Sequence, residues 1–264
     1  MLTPDKIYTT DNGLVIKQKI IPDTLRASKD VCSWVKAGQK MKPCAKLGGD
    51  GKPRGITIHN TGDIKVASGT NAAEQYTRAT FNGNMSGVVV HFYIIDNEIW
   101  QNLALDERGW HAADGSSRRA SQKKDGSKIG GNYDTIAIEC IGNKATSEET
   151  TAKLAAWLCK KFDLNPDTDI YTHKYFYPSK QCPVYILPHW KTFVSKVSKY
   201  YTAMAGVTQV SGTGWVHTVT HGDTLWSIAE KYLGKGSRFP EIVKLNSLKS
   251  NVLYTGQVLK LPEK

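Results

Sequence analysis

Short apolar runs alternate with helical patterns along most of this chain, and that alternation constrains its fold more than any other feature. GITIHN (55–60), VVVHFYII (88–95), TIAIECIG (135–142) and DIYTH (169–173) are rich in β-branched and aromatic residues and read as strands. The second is followed by Asp96-Asn97-Glu98 and then IWQNL, which predicts a hairpin. Between these runs, NAAEQYTRATFN (71–82) reads as a helix with Asn71 as its N-cap. Thr146-Ser147-Glu148-Glu149 fits a capping box, opening a helix with Leu154, Trp157, Leu158 and Phe162 on one face. The sum is an α/β domain, one sheet covered by helices.

PHWKTFVSKVSKYY carries Trp190, Phe193, Val194, Val197 and Tyr201 at helical spacing. After it comes GVTQVSGTG (206–214), small and polar, which reads as a short flexible linker. The remainder reads strand, helix, helix, strand. WVHTVT (215–220) precedes Gly222-Asp223, a turn and N-cap. Leu225, Ile228, Ala229 and Tyr232 then recur at i, i+3, i+4, i+7, a second short helix carries Ile242 and Leu245, and QVLKLP closes as a strand. The expected division is a domain over 1–205, the linker, and a small domain over 215–264. Residues 1–50 are less periodic and have no assigned role.

Hydrophobic residues make up 40% of the 264, enough for a core, and no run approaches the length of a membrane-spanning helix. The opening MLTPDKIYTTDNG has no basic region followed by an apolar one, so no cleaved secretory signal is expected. The formal net charge of +11 favours polyanionic partners: nucleic acid, anionic lipid, or an envelope rich in phosphate-bearing polymers. No basic-aromatic stacking motif or recognition helix stands out, so nucleic acid is not an expected partner. Five cysteines, an odd count, argue against a disulfide framework; pairing of Cys32 with Cys44 stays open.

His59 and His173 each end a predicted strand, and Cys182 follows His173 by nine residues. Two imidazoles and a thiolate suit zinc, and three protein ligands leave a fourth position for water, the pattern of a catalytic site. The plain alternative is two hydrogen-bonded strand-end histidines and a buried thiol acting as a small hydrophobe.

ITIHNTGD, VVVHFYIIDNEIWQ, GWHAADG, GNYDTIAIEC and HKYFYPSKQCP occur in that order over roughly residues 50–190. Together they resemble the zinc-dependent N-acetylmuramoyl-L-alanine amidase family, whose fold is shared by phage lysis amidases and peptidoglycan recognition proteins. The resemblance implies a mixed central β-sheet flanked by helices and one Zn²⁺ held by His59, His173 and Cys182. It implies cleavage of the amide between the lactyl group of N-acetylmuramic acid and L-alanine of the stem peptide. Zinc would lower the pKa of a bound water toward ~7. Lys180, in the K-x-C-P arrangement, would stabilise the oxyanion. Some members carry a Tyr where this chain has Val90; another branch has a Glu in the strand equivalent to TIAIEC, and Glu139 fits that place as general base. An ion pair at the core edge is the plain alternative for Glu139. Asn60, Thr61, His91 and His111 are expected near the substrate cleft, with a core role for His91 equally open and His111 placed either to contact peptide or to orient a zinc-bound group.

VHTVTHGDTLWSIA, Asn246 and YTGQVLKLP resemble a LysM domain over 216–262, a βααβ unit that binds N-acetylglucosamine-containing glycan between two loops. On this chain those loops are 221–225 and 252–256, with Gly222, Asp223, Thr224, Leu225, Tyr254, Thr255 and Gly256 as candidate contacts. Leu225 and Trp226 are also readable as core. The whole resembles an endolysin: a monomer made in the host cytoplasm that acts on the wall once the membrane is permeabilised, without inserting into it. An autolysin, or a non-catalytic receptor on the same fold, are the alternatives; such receptors lack the ligand Cys.

Overall fold

The computed structural model describes residues 2–22, 46–62, 71–85, 87–115, 126–204, 207–210, 214–219, 222–248, 250–254 and 257–262. The chain divides into two compact units, Met1–Ser198 and Lys199–Lys264. Cys32 and Cys44 lie outside the described residues, as do Thr255 and Gly256.

The first unit is built on a seven-stranded sheet. Its strands are β1 (Lys6–Thr9), β2 (Val15–Gln18), β3 (Gly55–Asn60), β4 (Phe92–Ile95), β5 (Glu98–Gln101), β6 (Thr135–Cys140) and β7 (Ile170–Thr172), in the order β1-β2-β5-β4-β6-β3-β7. β4, β6, β3 and β7 run parallel, while β5 turns back from β4 as the predicted hairpin. The sheet is therefore mixed, as the resemblance implies.

The alternation of side chains gives the sheet two different faces. Ile56, Ile58, Ile136, Ile138, Phe92, Ile94 and Ile99 fill one face and are essentially fully buried. Helix α3 (Ala145–Phe162) covers β3, β4 and β6 there with Leu154, Ala155 and Leu158. Each such isoleucine is worth about 1.5–3 kcal/mol against exposure. (α2 is the short turn Gly131–Asp134.) The other face carries Thr57, His59, Ala137, Glu139 and Tyr93, and helix α1 (Ala72–Phe81) packs on its β4 and β5 strands. Polar groups thus collect at the carboxyl ends of parallel strands, where open α/β sheets form their clefts.

α1 starts as the sequence predicts, with the Asn71 side chain accepting from the Glu74 N–H. α3 does not use the expected capping box: Lys144 is its N-cap, without a side-chain bond. Thr146 instead donates to the Asp96 carboxylate, and Ser147 Oγ accepts from the Asp96 N–H at 2.8 Å. The hairpin turn, where Asp96 has φ +51°, supplies partners that a local pattern cannot foresee. The strand read over 88–95 is also shorter: β4 begins at Phe92, and Val89 makes one bridge to Trp110. His173 opens the short helix α4 (His173–Phe176) directly after β7, with Thr172 as N-cap. Helix α5 (Trp190–Met204) buries Phe193 and Val197.

The second unit contains β9 (Gly214–Thr218), α6 (Leu225–Leu233), α7 (Phe239–Leu245) and β10 (Val258–Leu261), the strand–helix–helix–strand order expected. A further strand, β8 (Val207–Val210), pairs antiparallel with β9 inside the stretch read as linker. Val219, Leu225, Ile228, Ala229, Leu233, Ile242, Leu259 and Leu261 form its core. The N-cap of α6 is Thr224 rather than Asp223, in a reciprocal pair with Ser227. Asp223 instead accepts from His217 Nε2 at 2.7 Å. No helix among the described residues is long and apolar enough to cross a membrane.

Candidate metal centre and cleft

β3 delivers His59, the turn from β7 into α4 delivers His173, and the loop after α4 delivers Cys182. All three are buried, and one ligand atom from each lies within 4.8 Å of the others. Cys182 Sγ is 3.8 Å from His59 Nδ1. Zinc–nitrogen bonds near 2.0–2.1 Å and a zinc–sulfur bond near 2.3 Å, at tetrahedral angles, put ligand atoms roughly 3.4–3.7 Å apart. The Cys182–His59 pair is close to that spacing, and the whole set lies within 4.8 Å.

Two local devices hold the Cys182 loop. The Cys182 carbonyl accepts from Lys174 N–H at 3.0 Å, folding the loop back on α4. Asn60 Oδ1 accepts from the N–H groups of Gly62 and Tyr185, while Asn60 Nδ2 donates to the Cys140 and Gly142 carbonyls. Asn60 therefore braces strand ends and loop together.

The electrostatics suit a cation. Burial, then the charges of His173 and Lys180, hold His59 well below the ordinary histidine value. Burial and then Lys180 bring His173 down to about 4. Both rings are thus neutral near pH 7, the form that ligates a metal. Burial and then Glu139 push the Cys182 thiol up to about 12, a cost that a divalent cation would remove. Among the described residues, no hydrogen bond of ordinary geometry reaches the buried Nε2 of His173. The donor set and its surroundings fit zinc.

Glu139 pairs in register with His59 on the neighbouring strand and with Tyr93 on the other side. Burial lifts its carboxyl to about 8, opposed by Lys180. Lys180 is exposed, and its charge reaches His59, Glu139, His173 and Cys182. All five residues singled out for chemistry meet at one place.

Residues 49–185, just over half of the chain, match the N-acetylmuramoyl-L-alanine amidase family, and residues 217–262 match the LysM domain. The chain belongs to the N-acetylmuramoyl-L-alanine amidase family. It is 28% identical over 211 residues to the amidase XlyA of Bacillus subtilis, covering 78% of this chain and 60% of that protein. It is 34% identical over 149 residues to the amidase CwlH of the same organism, covering 55% of this chain and 53% of that protein. The chain thus spans between half and two thirds of the length of these relatives. A solved mutant endolysin from Bacillus subtilis superposes with a TM-score of 0.52 at 27% identity, covering 70% of this chain and 99% of that one.

Thr61 is half-buried, accepting from the Gly142 N–H at 3.0 Å. His91 is fully buried: Nδ1 accepts from the Ala137 N–H at 3.0 Å and Nε2 lies 2.8 Å from the Glu107 carbonyl. It braces β6 from inside. His111 is buried against His59, with Nδ1 3.0 Å from His59 Nε2. Sequence reasoning missed Tyr93 and Tyr76, whose rings stand 5.4 Å apart; both phenols are raised first by burial, with Glu139 adding to it. The available signal was the alternation that puts Tyr93 on the face of His91.

In the LysM domain, Gly222 and Thr224 are exposed, Asp223 is half-buried and Leu225 belongs to the core. Trp226, also readable as core, is 56% exposed. Tyr254 is 71% exposed on the other loop. The Val219 N–H donates to the Gln257 carbonyl at 2.7 Å at one end of the β9–β10 pair.

Proposed function

We propose that this chain is a zinc-dependent amidase cleaving the bond between the lactyl group of N-acetylmuramic acid and L-alanine of the stem peptide. The observation that carries the reading is the cluster of His59, His173 and Cys182 donors within 4.8 Å, with Glu139 in register beside His59. Family membership supplies the substrate class.

Zinc at that cluster would polarise the lactyl carbonyl and acidify a water molecule. Glu139, half-buried beside His59, takes the proton of the attacking water on its carboxylate and returns it to the departing alanine nitrogen. Lys180 is exposed, with its charge felt across the cluster, and faces the negative oxygen of the tetrahedral intermediate. Thr61 lines the cleft. The chain has Val90 where some members carry a Tyr, so proton transfer falls to Glu139.

The catalytic part spans 1–205 and the LysM part 215–264, joined by 206–214. Exposed Tyr254, with Gly222, Asp223 and Thr224 across the groove, takes N-acetylglucosamine-containing glycan. Weak glycan binding on a tether raises the effective concentration of the active site at the wall. The protein works as a monomeric lysin on peptidoglycan after the membrane is breached.

Mass spectrometry of purified walls digested by the protein tests this reading. The expected products are stem peptides with new free alanine amines and intact glycan strands. New reducing ends, or full activity after exhaustive chelation, would overturn it.

A further inference from the structure

His59 has two ring nitrogens, and they face different neighbours. Nδ1 faces Cys182 Sγ at 3.8 Å; Nε2 lies 3.0 Å from His111 Nδ1. The two rings meet edge-on, 88° apart with centroids at 5.1 Å. His111 contributes no atom to the three-residue donor cluster. A neutral His59 that offers Nδ1 to a metal carries its proton on Nε2, and the group placed to accept that proton is His111 Nδ1.

His111 is itself held from behind. Its N–H and that of Ala112 both donate to Asn132 Oδ1, each at 2.7 Å. Asn132 Nδ2 donates to the Gly115 carbonyl at 3.0 Å, and the Asp114 carboxylate accepts from the N–H groups of Gly131 and Asn132. Two glycines permit the close approaches of this segment, one to α2 and one to Val89. A Cβ on Gly131 would come 2.3 Å from Ala112 Cβ, and one on Gly109 would come 2.7 Å from the Val89 carbonyl oxygen. The segment 109–115 is thus clamped onto α2, and the clamp aims the His111 ring at His59.

From this we infer that His111 is a positioning residue for the metal centre: it accepts the Nε2–H of His59 and so fixes the tautomer and ring plane that leave Nδ1 free to ligate. His111 is 5% exposed and its Nδ1 faces His59 Nε2, so it acts through His59. The inference rests on the zinc reading above, but adds a residue and a role to it. Of the two roles left open for the histidine of GWHAADG, it selects orientation of a zinc-bound group over peptide contact, and names the atom pair that does it.

The test is a zinc titration of the metal-free full chain against a chromophoric chelator, comparing wild type, His111→Ala and His111→Asn. Wild type should take up one zinc, and His111→Ala should bind it about 10–100-fold more weakly. His111→Asn, whose Oδ1 stands close to the place of the histidine Nδ1 and can only accept, should recover most of that loss. Ring ¹⁵N shifts of metal-free wild type should show His59 protonated at Nε2, and kcat on a soluble muropeptide should fall with KM unchanged. If His111→Ala does not fold, the ring shifts and His111→Asn decide. Wild-type zinc affinity in His111→Ala, or a raised KM with zinc affinity intact, would overturn the inference alone. A wild-type chain that takes up no zinc would overturn the zinc reading first and this inference with it.

Discussion

His59 and Glu139 are Cα partners on the parallel strands β3 and β6, so their side chains leave the same face of the sheet one strand spacing apart. That spacing is about 4.8 Å in any sheet. The candidate metal ligand and the proposed proton carrier thereby share one rigid platform, whose opposite face is packed with Ile56, Ile58, Ile136 and Ile138. Neither group depends on a loop for its position.

Replacing Glu139 by Gln should separate chemistry from metal binding. The amide keeps the shape but cannot take a proton. Turnover should fall by about 10²–10⁴ while zinc stoichiometry stays at that of wild type. Metal content and wall-clearing rate measured on the same preparation check this. A variant that clears walls at wild-type speed would remove Glu139 as the base.

Lys180 is exposed, and removing it should leave the fold intact. Lys180→Ala should lower kcat by roughly 10²–10³ with little change in melting temperature. Unchanged kcat would mean that the lysine only colours the field of the cleft.

His59→Ala and Cys182→Ser should each lose both zinc and hydrolysis, because either leaves two donors of three. Exhaustive chelation of wild type should do the same, and added zinc should restore it. Elemental analysis before and after chelation provides the measurement.

Tyr254 is the clean probe of the proposed glycan groove. Thr224 caps α6 and Leu225 belongs to the core, so changing either would perturb folding as well as binding. Tyr254→Ala should weaken co-sedimentation with purified walls while hydrolysis of a soluble muropeptide is untouched. Equal binding by wild type and variant would place the glycan elsewhere.

Glu148 ties α3 to His189 and Lys196, with bonds of 2.6 and 2.7 Å. Burial raises its carboxyl, but the bonds from Lys196 and His189 outweigh that and hold it below the ordinary glutamate value. A carboxyl depressed in the folded state adds stability above its unfolded pKa of about 4.3 and loses it as pH falls through the lower folded value. Melting temperature should therefore drop more steeply in wild type than in Glu148→Gln as pH is taken from about 5 to 3. Parallel curves would show that the pair contributes nothing.

What could be read along the chain was whatever depends on near neighbours. The runs 55–60 and 135–142, the helix capped by Asn71, and the βααβ order of the last residues follow from local periodicity and short-range caps. The types and order of His59, Glu139, His173, Lys180 and Cys182, set in their motifs, were enough to point to the family. Tertiary structure decided whatever depends on distant partners. Thr146 left its expected capping role for Asp96, about fifty residues away, and Ser147 bonds there as well. Asp223 gave up the cap to pair with His217. His91 went into the sheet and His111 to the back of His59, though both histidines lie in motifs of the same family. Hydrogen-bond partners and ring orientation come from contacts between segments far apart in sequence, and periodicity carries no record of those.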